Sequence, residues 1–284
     1  MLLLRSIFMN IIKFLQSFSN PILDRFFTLI TMMGEETFLI LFIALIFWCI
    51  NKKAGYILGF TILSGTLLNN LLKMTFHTKR PIGAAGLRSL RINTATGFSF
   101  PSGHAQGTAA LWTITAKELK NKRTYILAVA LVLLVAISRL YLGVHWPIDV
   151  IFGALIGIVW ALICCFLFDL SVKTNNKLIL LIILIPATIS VFFYRGSTNI
   201  DTVAILIGFF LGYFIEDKYI KFNEKASLPK QFIKYALGIG VLLFIKQFLK
   251  ILLPATVVFD FLRYVLLGLW ITCGSTYMFK RLFD

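Results

Sequence analysis

Long apolar runs separated by short polar connections set the pattern of this chain. The opening from Met1 to Phe18 is apolar but interrupted by Arg5, Asn10, Lys13 and Gln16, and it stops at Asn20-Pro21. Continuous runs follow at about 38–50 and 54–72, joined by Asn51-Lys52-Lys53, and then at about 103–116, 124–142 and 148–168. Four more lie at about 178–194, 202–216, 232–250 and 257–279. Inside a bilayer a backbone must satisfy its own hydrogen bonds, so runs of this length predict membrane-spanning helices. The opening segment reads equally as an interfacial amphipathic helix or as an imperfect first span, and no small-residue cleavage site follows it. Gly55/Gly59, Gly153/Gly157 and Gly208/Gly212, each pair four apart, predict places where helices approach closely.

Composition sharpens the class. The 284 residues are 59% hydrophobic and only 14% charged, with a mean hydropathy of +0.88, whereas a soluble domain carries about a quarter charged residues. The expected fold is therefore an all-α integral membrane protein, a polytopic helical bundle whose main partner is the lipid bilayer. A net charge of +16 would suggest nucleic acid in a soluble protein. Here the lysines and arginines sit mostly between apolar runs, where they set topology and meet anionic headgroups, so no nucleic-acid partner is expected. Cys49, Cys164, Cys165 and Cys273 lie inside apolar runs without metal-ligand spacing and read as structural thiols.

Three polar blocks interrupt this background between Lys73 and Asp149. The first runs from Lys73 through His77 to Arg80-Pro81; the second is Pro101-Ser102-Gly103-His104; the third joins Ser138-Arg139 to His145 and Asp149. Residues 73–100, with Gly83, Gly86, Arg88, Arg91 and Asn93, are too polar for hydrocarbon and read as an extramembrane loop. Threading the runs alternately through a membrane brings all three blocks to one face. Each block alone has a plain structural account: cations at a span end can snorkel, Pro-Ser-Gly can cap a helix, and His145 with Asp149 can be a hydrogen-bonded pair. Their joint occurrence on one face favours a site that holds and attacks phosphate.

The chemistry of such a site is specific. Arg80 and Arg139 offer planar forks for phosphate oxygens, and Gly103 lets backbone N–H groups at a helix start approach the anion. His145 can attack phosphorus only as a neutral imidazole, and Asp149, accepting from its other nitrogen, would fix the tautomer. His104 can then protonate the leaving oxygen. With cations present and no carboxylate cluster, no metal or other cofactor is expected. His77 reads as a loop or rim residue, and Glu35 and Glu36 as neutralising groups near the basic rim.

The blocks resemble the signature of the type 2 phosphatidic acid phosphatase superfamily, K-x6-R-P, P-S-G-H and S-R-x5-H-x3-D, which this sequence matches at every position. That superfamily includes membrane lipid phosphate phosphatases, undecaprenyl diphosphate phosphatases and the soluble vanadium haloperoxidases. The resemblance implies a lipid phosphatase with His145 as nucleophile, Asp149 orienting it and His104 as proton donor. It also implies Lys73, Arg80, Ser102, Gly103 and Arg139 as phosphate ligands. It does not reach past about residue 170, so a six-helix phosphatase-like core over 1–170 and additional spans over 171–284 are expected. A non-hydrolytic lipid-phosphate binder or transporter that keeps the phosphate site is the alternative from another class. Phosphatidic acid, phosphatidylglycerol phosphate and undecaprenyl diphosphate all suit a site at headgroup depth.

Charge asymmetry orients the chain. Fifteen lysines and arginines fall on the face opposite the blocks. Leaving out Lys73, Arg80 and Arg139, the motif face carries mainly Lys79, Arg88, Arg91, Arg195, Lys250 and Arg263. The positive-inside rule then puts the site on the extracytoplasmic face of the cell membrane. In a background without native cysteines, a cysteine at Gly86 should react with an impermeant thiol reagent in intact cells, and one at Asn121 only after lysis. The reverse labelling would turn the site to the cytoplasm.

Overall fold

The computed structural model describes residues 2–193 and 196–283; Arg195, counted above on the motif face, and Tyr194, the end of an expected run, lie outside them. Its helices are α1 (Leu2–Ser17), α2 (Pro21–Met32), α3 (Glu36–Leu45, continued by a π-turn over Ile46–Ile50), α4 (Lys52–Phe76), α5 (Gly103–Leu119) and α6 (Lys122–Tyr141). They continue as α7 (Pro147–Lys173), α8 (Leu181–Phe193), α9 (Ser197–Ile215), α10 (Leu228–Leu252), α11 (Val257–Leu269) and α12 (Ser275–Phe283). No strand occurs among the described residues. Among the described residues six helices are long and apolar enough to cross a membrane, and a seventh crossing results if the broken pair Pro21–Met32 and Glu36–Ile50 counts as one. The protein is an all-helical, multi-pass membrane protein.

Local chemistry explains the starts of the helices that build the site. Asn20 caps α2, its side chain accepting from the Ile22 and Leu23 amides at 3.0 Å, with Pro21 at the first position. Ser102 caps α5, Asn121 caps α6, and Pro147 opens α7. Three expectations change. The polar stretch after α4 begins at His77 rather than Lys73, because the helix runs on through Phe76 and carries Lys73 in its last turn. The run at 103–116 is not among the six apolar spans: α5 has 17 residues and buries Gln106, Thr108 and Thr115 among small alanines. The run beginning near 178 is a 17-residue apolar segment, Lys177–Phe193, that starts as a 3-10 turn.

The chain forms two compact units, Met1–Leu39 with Leu68–Leu162, and Ile40–Leu67 with Ile163–Asp284. The two interleave along the sequence. In the first, α5 and α7 pack at the distance of their backbones: a side chain on Gly153 would meet the Ser102 carbonyl at 2.6 Å, and one on Gly157 would collide with the Gln106 carbonyl. This small-residue contact brings the start of α5 against the start of α7. α1 and α2 cover the other side. Gln16 donates to the carbonyls of Arg88 and Tyr141 at 2.9 Å, and Leu15 packs against Ala105, Leu140 and Val150.

In the second unit the glycine pairs do the same work: side chains on Gly55 and Gly59 would strike Phe47 and Phe209, and side chains on Gly208 and Gly212 would strike Val265 and Thr272. Glu216, fully buried, accepts from Lys52 Nζ at 3.0 Å, the Phe222 amide at 3.0 Å and Tyr56 Oη at 2.5 Å. The four cysteines are free thiols, two of them buried.

Candidate active site

Within the first unit the three polar blocks meet around one carboxylate. Asp149 sits in the first turn of α7, where the helix dipole favours a negative charge. Its Oδ2 accepts from the Trp146 amide at 2.8 Å and from Ser99 Oγ, and lies 3.4 Å from His145 Nδ1. Its backbone carbonyl accepts from the Ser102 amide at 2.9 Å, which ties the second block to the third. Gly143, at φ +66°, turns the chain between α6 and His145, and the Arg88 carbonyl packs where a side chain would stand.

These contacts define the state of His145, which is 1% exposed. Ser99 Oγ lies 3.3 Å from Nδ1 and gives its own proton to Asp149, so it presents a lone pair to the ring. An ionised carboxylate is likewise an acceptor, and Nδ1 facing two acceptors carries the hydrogen. Nε2 lies 2.9 Å from Arg80 Nη1, which only donates, so Nε2 keeps its lone pair. Burial first, then the charges of Arg139, Arg80 and Lys73, hold the ring well below the usual histidine value of 6.5. The result is a neutral imidazole with its free nitrogen turned toward cations.

The cations differ in what they have left to give. Arg80 donates to the carbonyls of Gly97 (3.0 Å), Thr96 (2.8 Å), Phe98 (3.3 Å) and Val144 (2.9 Å) and to His145. All five of its N–H groups are engaged, so it organises the loop before the second block as well as charging the site. Burial pulls its pKa down to about 10, which leaves it protonated at neutral pH. Arg139 is fully buried and gives Nη1 to Thr31 Oγ1 at 2.8 Å, while its Nε and Nη2, both buried, have no partner among the described residues. His104 Nε2 is buried and unpartnered in the same way. Lys73 lies within electrostatic reach of Arg80, Arg139 and Asp149. Unpartnered buried polar atoms are costly, and here they belong to groups expected to meet a phosphoryl group.

The remaining expected residues fall into place differently. Ser102 spends its amide on Asp149 and its hydroxyl oxygen on capping α5, accepting from the Ala105 amide at 3.5 Å. Gly103 begins α5 without the positive φ of Gly83, Gly86, Gly97 and Gly143, so the turn comes from the cap rather than from a flexed glycine. His77, at φ +47°, packs edge-on against Phe98 with ring centroids 4.6 Å apart, outside the cluster. Glu35 pairs with Arg91. No group of three His, Cys, Asp or Glu side chains among the described residues has the arrangement to hold a metal ion. Sequence reasoning missed Ser99 and Thr31; only Ser99, three residues before Ser102, lay near a motif.

A family model described as "PAP2 superfamily" matches residues 54–173, and one described as "PAP2 superfamily phosphatase, transmembrane extension" matches residues 200–283. The extension thus covers part of the chain that the motif resemblance did not reach. The chain is 32% identical to phosphatidylglycerophosphatase B of Bacillus subtilis over 49% of its own length and 72% of that protein. It is 30% identical to an undecaprenyl-diphosphatase of the same organism over 50% of its length and 74% of the relative. A lipid A 4'-phosphatase of Porphyromonas gingivalis is 30% identical over 53% of this chain and 68% of that protein.

The depressed pKa of His145 has a measurable consequence. Attack needs the base form, and a lowered pKa keeps that form populated as pH falls through the ordinary histidine range. The acid limb of kcat/KM reports the free enzyme and should therefore lie below pH about 6.5. A limb at or above that value, unchanged between substrates of different phosphate pKa, would contradict a buried neutral His145.

Proposed function

The chain belongs to the PAP2 superfamily and is a phosphatase acting on lipid phosphates, and from that premise we propose that it works through a phosphohistidine on His145, without a metal ion, at the outer face of the cell membrane. The observation that carries this reading is the pairing of His145 Nδ1 with Asp149 and Ser99 while Nε2 faces Arg80. His104, beside Arg139 and Lys73, takes up a proton as the phosphate dianion enters and offsets their charge; Nε2 then attacks phosphorus, the P–O bond to the lipid breaks, and His104 gives that proton to the departing oxygen. Arg80 Nη1 turns from Nε2 to a phosphoryl oxygen, and the open donors of Arg139 take others, so positive charge is in place where negative charge spreads in the transition state. Asp149 and Ser99 receive the Nδ1 hydrogen more strongly as the ring becomes cationic. Water then attacks the phosphohistidine, passes a proton to the now neutral His104, and inorganic phosphate leaves.

Lys73 and Ser102 complete the ring of donors, and Gly103 keeps the start of α5 narrow, with room for the anion at the helix dipole. Every one of these groups lies within 1–170, which we read as the phosphatase core; residues 171–284 supply further membrane helices. The relatives are named for a phosphatidylglycerophosphate, an undecaprenyl diphosphate and a lipid A substrate. What these share is a phosphate at headgroup depth on an apolar anchor, and that is the substrate class proposed here, with phosphatidic acid a further member.

Purified protein should release phosphate from a panel of such lipids in the presence of EDTA, since side-chain cations do the work of a metal. His145→Ala should lower turnover by roughly three orders of magnitude or more, because it removes the covalent route itself. Most of the wild-type activity surviving in His145→Ala, or a need for added Mg²⁺, would refute the mechanism.

A further inference from the structure

The corner between α2 and α3 makes three contacts through residues outside the family signature, two of them to groups of the site. Thr31, fully buried, accepts from Arg139 Nη1 at 2.8 Å. Gly34 lies so close to His104 that a side chain on it would come within 2.9 Å of the histidine Cβ. Glu35 pairs with Arg91. Further along α2, Asp24 accepts from both terminal nitrogens of Arg88, at 2.8 and 3.1 Å, and from Tyr141 Oη at 2.5 Å. Tyr141 is two residues beyond Arg139, so the same helix that supplies Thr31 is also braced against the end of α6.

The position of the Thr31 contact on the guanidinium matters. A guanidinium presents one edge with two parallel N–H groups, Nε–H and the neighbouring Nη2–H, which matches two oxygens of a tetrahedral anion. Thr31 occupies Nη1, and it is Nε and Nη2 that remain buried and unpartnered. We propose that Thr31 is a positioning residue that takes up the Nη1 end of Arg139 and so turns its Nε/Nη2 edge to the transferred phosphoryl group. The hydroxyl chooses which face of the arginine the substrate meets. A methyl group in its place would leave the charge but let the fork rotate, so the two-oxygen contact would be made by a fraction of molecules only. The idea rests on the phosphoryl-transfer reading above but concerns the grip on phosphate, which has its own measurement.

Full-length Thr31→Val, which keeps the shape and loses the acceptor, should lose roughly 10- to 100-fold in kcat/KM, the scale of one hydrogen bond to a charged group. Thr31→Ser, which keeps the acceptor, should stay within about threefold of wild type on the same scale. In an Arg139→Ala background Thr31→Val should cost little more, because the group it positions is gone. Binding of inorganic phosphate to His145→Ala, followed by calorimetry, should weaken by roughly tenfold or more when Thr31→Val is added. That last reading does not depend on histidine attack. The proposal is overturned if Thr31→Val retains kcat/KM and phosphate affinity within twofold, if Thr31→Ser is as poor as Thr31→Val, or if the loss persists undiminished without Arg139.

Discussion

A carboxylate buried at the start of α7 needs donors, and the arrangement of the site follows from how one of its oxygens, Oδ2, finds them, while Oδ1 has none among the described residues. Asp149 draws the Trp146 amide, the Ser99 hydroxyl and the His145 ring to one oxygen, and its carbonyl takes the Ser102 amide. Those four contacts come from both sides of the 100–145 interval, so once Asp149 is paired the loop before α5 and the turn after α6 are no longer independent. The close packing of α5 on Gly153 and Gly157 makes the pairing possible, because any larger residue there would push Ser102 away from α7. Arg80 then holds the same loop from the other direction through three consecutive carbonyls. The network that steadies the fold here is the one that fixes the tautomer of His145.

Much of this was legible in the pattern of the chain, and the parts that were not have physical reasons. Apolar runs marked most of the helices, and the polar blocks stood out because lysine, arginine and histidine at span ends need a reason to be there. α5 was read as an apolar span because a run of alanines, threonines and one tryptophan resembles one, yet its polar and small residues suit a helix surrounded by protein. Lys73 looked like a loop residue because periodicity fades where a helix emerges from the bilayer, although the backbone continues for another three residues. Ser99 carried no mark, since a serine in a loop is ordinary; its role appears only when Asp149 is placed beside it. Thr31 was out of reach altogether, its partner being 108 positions away in a segment whose own pattern was ambiguous.

The second unit uses the same physical solution. Glu216 is buried and fully paired by Lys52, Tyr56 and the Phe222 amide, joining the beginning of α4 to the turn after α9. Removing one of these partners would leave a buried carboxylate short of a donor, which makes the cluster a structural knot. Lys234, also buried, is held by the Glu224 carbonyl at 2.9 Å between the rings of Phe222 and Phe279. Such internal contacts account for charged residues inside an apolar unit.

The central claim is that His145 Nε2 becomes bonded to phosphorus. Rapid quenching of the wild-type protein with a ³²P-labelled lipid phosphate, with Arg139→Ala and His145→Ala in parallel, measures that bond directly. The account predicts a phosphoprotein that is labile in acid and stable in base in the wild type, formed more slowly in Arg139→Ala and absent from His145→Ala. Catalytic turnover with no phosphoprotein under any quench condition, together with inversion of configuration at phosphorus, would mean that water attacks directly and would contradict it.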